Sequence, residues 1–116
     1  MQTAAIVLAV AALGGLTLAG IRLSGAPRPP TSMALGHGVV AATGLGLLAY
    51  AAVDPGIPGM AQVALGLFVL AALGGAVLFL GFHMKGQALP IPFVLGHGLI
   101  AVTGFVLLVL AVFRKT

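Results

Sequence analysis

Two tetrapeptides carry the residues that could do chemistry in this chain, Leu35-Gly36-His37-Gly38 and Leu95-Gly96-His97-Gly98. They hold the only two histidines inside the apolar segments, and glycines fence both. An imidazole can ligate a metal, share a hydrogen bond or carry a proton. The same small-residue pattern follows each motif. Ala41, Thr43, Gly44, Leu47 and Leu48 follow the first, and Ala101, Thr103, Gly104, Leu107 and Leu108 the second. The offset between the two settings is 60 residues with no gap.

An ionisable residue in an apolar helix points to function, because burying it unpaired is costly. The bland alternative is an imidazole hydrogen-bonded to a neighbouring carbonyl. Two histidines are too few for a structural zinc site, which takes four nitrogen or sulfur ligands. No Cys, Asp or Glu lies in the apolar runs to complete one. They do suit the two axial positions of a haem b iron, with small residues letting the flat macrocycle approach the helices. His37 and His97 are then the expected metal ligands. Gly36, Gly38, Ala41 and Gly44 would clear the space around the first, and Gly96, Gly98, Ala101 and Gly104 around the second. The basic residues Arg22, Arg28 and Lys85, in loops on the histidine side, are candidate propionate contacts. Basic residues at helix ends more commonly reach for lipid headgroups. His83 has Leu23 at its repeat position and is expected at the interface. A histidine could also ligate a chlorin or hydrogen-bond a quinone carbonyl.

The elements that must position these residues follow from composition. The chain has 116 residues, 61% hydrophobic and 5% charged, whereas charged residues make up about a quarter of a soluble domain. Such a surface calls for lipid as solvent, and apolar runs of about 20 residues select helices over a barrel. Four helices are expected at about 2–21, 32–53, 60–82 and 93–113, as an up-down bundle in a single integral membrane domain. Ser32 is the expected N-cap of the second. The first run lacks the Lys or Arg of a signal peptide. Its Ala11-Ala12-Leu13-Gly14-Gly15 also recurs as Ala71-Ala72-Leu73-Gly74-Gly75, so a retained helix is expected.

At the same offset, residues 1–56 and 61–116 agree at 19 of 56 places, against roughly 7 by chance for this composition. This reads as a tandem duplication of a helical hairpin, with both halves parallel and a pseudo-twofold axis along the membrane normal. His37 and His97 would share one depth, on diagonal helices about 12–14 Å apart. Gly14-Gly15 and Gly74-Gly75 lie near that level, open to helix packing or to a macrocycle edge. The pattern resembles, in a general way, the four-helix membrane cytochromes b.

Several classes are disfavoured. No Asp, Glu, Lys or Arg lies within a span, which argues against proton-coupled transport. There is no catalytic triad, paired acid or phosphate-cradling loop, so activity by the chain alone is not expected. The net charge of +4 sits in loops and reads as topology signal and headgroup contact, not as a nucleic-acid patch. The lean is towards termini outside and loops one and three cytoplasmic, in a bacterial inner membrane. Two readings remain: a bis-histidine haem protein passing electrons between quinones and a partner, or a cofactor-free subunit of a larger membrane complex or homo-oligomer. Lipid is the surrounding partner in both.

Overall fold

The computed structural model describes residues 1–114 and contains four long helices: α1 (Gln2–Leu23), α2 (Thr31–Val53), α3 (Gly59–Leu78) and α4 (Ile91–Arg114). A π-turn, Phe79–His83, prolongs α3. There is no strand among the described residues. All four helices are long and apolar enough to cross a membrane. At 1.5 Å per residue they run about 30–36 Å, and they stack side by side in a bundle 43 × 19 × 18 Å.

The helix boundaries follow local chemistry. Each connecting loop contains one glycine with positive φ, Gly25, Gly56 or Gly86, a conformation that ends a helix at little cost. Each following helix begins directly after a proline: Pro30, Pro58 or Pro90. Proline's fixed φ suits a helix entrance and its missing N–H is not needed there. Ser32 is therefore not the cap of α2. The amides of Met33 and Ala34 both reach the Pro30 carbonyl, and the helix starts one residue earlier. α4 likewise starts two residues before the expected position, with Pro92 inside its first turn.

α1 packs along α2 and α3 along α4, and the two hairpins meet through the α1–α4 and α2–α3 seams, of which the second is the looser. The diagonals are α1/α3 and α2/α4, so the histidine-bearing helices face each other across the axis. Two apolar clusters fill the bundle. One joins Ala4, Leu8, Leu48, Ala61, Ala64, Phe68, Leu108 and Ala111, and the other Leu78, Leu89 and Val94. Leu48 and Leu108 are fully buried. Along α1, α3 and α4 the histidine and Gly-Gly level falls between these clusters. Buried positions recur in pairs at the sequence offset: Ala4/Ala64, Leu8/Phe68, Ala11/Ala71, Gly44/Gly104, Leu48/Leu108 and Ala51/Ala111. Most other large apolar side chains face outward.

Candidate functional site: the paired histidines

His37 enters the bundle from α2 and His97 from α4. Their ring centroids stand 6.4 Å apart with the planes at 89°. The helices are diagonal, and the two side chains close the gap by reaching inward. Each ring sits in a notch made by a glycine pair on the partner helix of its own hairpin. A Cβ added at Gly15 would stand 3.0 Å from His37 Cε1, and one at Gly14 3.6 Å from its Nδ1. The second half repeats the arrangement. Added Cβ atoms at Gly75 and Gly74 would stand 3.2 Å from His97 Cε1 and 3.6 Å from its Nδ1. The Gly-Gly pairs are therefore imidazole seats.

The ring nitrogens differ in their surroundings. His37 Nδ1 pairs with the Ala11 carbonyl at 2.9 Å, so in this pairing Nδ1 carries the proton and donates it. Nε2 is left as the basic nitrogen. His97 faces the counterpart carbonyl, Ala71, yet its buried Nδ1 lacks a well-formed hydrogen bond. The second half thus makes the same approach with poorer geometry.

The other expected site residues fall into separate groups. Gly36, Gly38, Gly96 and Gly98 have nothing within 4 Å of an added Cβ; they are exposed or half-buried, facing away from the bundle axis. Gly44 is a close-packing position, where an added Cβ would lie 2.7 Å from Leu8 Cγ. At Gly104 the nearest contacts would be Leu67 Cβ at 3.3 Å and the Ala64 carbonyl at 3.4 Å. Ala41 and Ala101 are half-buried. Thr43 and Thr103 bond back to the Val39 and Leu99 carbonyls at 2.8 Å, as expected for hydroxyls in apolar helices.

Arg22 and Arg28 join the loops. Arg22 Nε donates to the Leu89 carbonyl at 2.8 Å, and Arg28 Nη1 to the His83 carbonyl at 3.1 Å. The Leu89 amide returns a bond to Pro27 O at 3.0 Å. Lys85 is exposed. His83, at the loop end of α3, is covered by the protein itself: it is 3% exposed, stacked on Phe79 with ring centroids 5.2 Å apart. Its Nε2 meets Thr31 Oγ1 at 3.0 Å. The cause is the π-turn, which changes the helical phase at the end of α3. No periodic signal in the sequence announces that turn.

The centroid distance is that of an edge-to-face contact between the rings, and it is also about that of two imidazoles on one metal. Two metal–nitrogen bonds of about 2 Å, plus roughly 1 Å from each nitrogen to its ring centre, put centroids about 6 Å apart. No group of three or more His, Cys, Asp or Glu converges among the described residues. A metal held here would need its remaining ligands from outside the chain, and a tetrapyrrole supplies four. A groove of about 310 Å³ between α3 and α4 reaches His97, lined by Leu70, Gly74, Val77, Phe93, Gly96 and Ile100. That is at the small end of ligand pockets. Only His37 has a hydrogen-bonded backing, and a whole macrocycle between the rings would require the looser α2–α3 seam to part. Compared with known proteins, the chain matches no family model, no curated protein and no solved structure.

Proposed function

We propose that the chain is a multi-pass integral membrane protein, built as two duplicated helical hairpins, that holds one b-type haem between His37 and His97 and carries electrons. The observation that carries this reading is the convergence of the two imidazoles to 6.4 Å, with His37 backed by a carbonyl at Nδ1. Histidines that ligate metals usually donate their second nitrogen in this way, which fixes the tautomer and the ring direction. A bound haem would supply one-electron chemistry without a protein proton donor. The chain's residues would ligate the iron, surround it with apolar side chains and keep water away. The apolar clusters on both sides of the histidine level serve that exclusion. A quinone on the lipid side and a partner protein are the proposed exchange partners. Arg22, Arg28 and Lys85 make the histidine-side end electropositive.

A second reading is favoured by a specific contact. The His37–Ala11 bond ties α2 to α1 with the imidazole filling the Gly14-Gly15 notch, and it needs no cofactor. Here the histidines are helix staples in a subunit of a larger membrane complex, whose neighbours and lipid cover the outward-facing apolar side chains.

The two readings separate in one experiment. A dithionite-reduced minus oxidised absorption spectrum of the detergent-purified protein is recorded beside His37→Ala and His97→Ala. Haem ligation gives a sharp low-spin α-band that both substitutions abolish. A featureless spectrum from well-folded protein, after expression with adequate haem supply, removes the haem reading and leaves the staple.

A further inference from the structure

The loop end of the bundle carries a second, open pocket of about 510 Å³, lined among others by Pro27, Arg28, Pro29, Pro30, Thr31 and His83. Its walls are preset, because three prolines fix the backbone of loop one. Two cross-loop bonds, Arg28 to His83 O and Leu89 N to Pro27 O, hold that loop against the turn after α3. A pocket ordered before its ligand arrives loses less entropy on binding.

Three features around it favour an anion. Arg28 uses Nη1 on the His83 carbonyl, and among the described residues its other guanidinium N–H groups have no partner. His83 is the buried polar side chain of the bundle, 3% exposed. Its Nε2 is engaged by Thr31 Oγ1, and its Nδ1 has no hydrogen-bond partner among the described residues. If Thr31 donates to Nε2, Nδ1 carries a proton and becomes a donor. Thr31 and Ser32 open α2 with no side-chain cap, so their amides remain free for an anion. Arg22 closes the last turn of α1 and Arg28 and Lys85 lie in these loops, whereas the single acid, Asp54, lies in the turn at the other end. A guanidinium, an imidazole and the first residue of α2 line one pocket, a set of several donors that suits the three terminal oxygens of a phosphate.

We propose that this cap pocket binds a terminal phosphate group, presented either by a phosphomonoester lipid headgroup or by free phosphate. The site does not depend on the haem reading, since none of its residues touches His37 or His97.

The test uses the full chain in neutral detergent, with native mass spectrometry to count bound dioleoyl phosphatidate and dioleoyl phosphatidylcholine. One phosphatidate per chain is expected, with phosphatidylcholine much weaker. Arg28→Gln should weaken the phosphatidate complex by about tenfold or more, the loss of one charge-assisted hydrogen bond. Arg22→Gln serves as the control. It removes a similar arginine-to-carbonyl tie, through Leu89, but Arg22 does not line the pocket, so binding should stay within about twofold. Equal binding of both lipids, or equal losses in the two variants, overturns the proposal. Inorganic phosphate then identifies the source. Displacement of phosphatidate supports recognition of the phosphate group alone, and retention supports a site that reads the headgroup on its lipid.

Discussion

At the residue scale the glycines divide by what a methyl group would meet. Gly15 faces His37 Cε1 at 3.0 Å from an added Cβ, whereas Gly36, beside the histidine in sequence, faces open space. Gly15→Ala should push the imidazole off the Ala11 carbonyl and cost about 1–3 kcal/mol, the usual range for overpacking. Gly36→Ala should be neutral or stabilising by up to about 1 kcal/mol, because alanine is the better helix former. Thermal unfolding of both variants in one detergent checks the contrast. A destabilised Gly36→Ala beside an unaffected Gly15→Ala would refute the seat. The histidines and the Gly-Gly pairs were legible as a common level in the sequence. Which glycines touch the rings was not, because sequence neighbours of an inward side chain point away from it on a helix, while its real neighbours come from another helix.

At the element scale, packing between helices differs in the two halves. Gly44 accepts Leu8, and an added Cβ there would lie 2.7 Å from Leu8 Cγ, against 3.3 Å to the nearest atom at Gly104. Gly44→Ala should therefore lower stability more than Gly104→Ala, by about 1–2 kcal/mol, since Leu8 must turn and α1 shift. Leu48→Ala, at a fully buried side chain, should cost about 2–5 kcal/mol. Chemical denaturation followed by helical circular dichroism measures both; a reversed order at the glycines would contradict the close seating of Leu8 on Gly44. Helix number and approximate ends could be read from apolar run length and from Gly and Pro. The π-turn could not. Phe79 to His83 has no sequence mark of a widened turn, and so the burial of His83, opposed to the 52% exposure of its counterpart Leu23, was invisible until the chain was folded.

At the scale of the whole molecule, Met1, Ile57, Met60 and Val112 all pack on one cluster, which places both ends of the helical chain beside the α2–α3 turn. Loops one and three then share the other end, so single cysteines at Ser24 and Gln87 should be labelled from the same side of a vesicle. The native chain has no cysteine to confuse the result. Labelling from opposite sides would rule out the bundle as a four-fold crossing. The matching glycine and histidine motifs were legible in the sequence; the poorer seat of His97 and the tighter α1–α4 seam were not, since they arise from small differences in helix placement. The clustering of both ends beside that turn has one more consequence. α4 could lead into α1 through a copy of the short Asp54–Pro58 turn, with the chain reopened between α2 and α3. Such a circular permutant should keep the paired histidines and the loop cap, because the order in which the four helices are threaded is separable from the contacts they make.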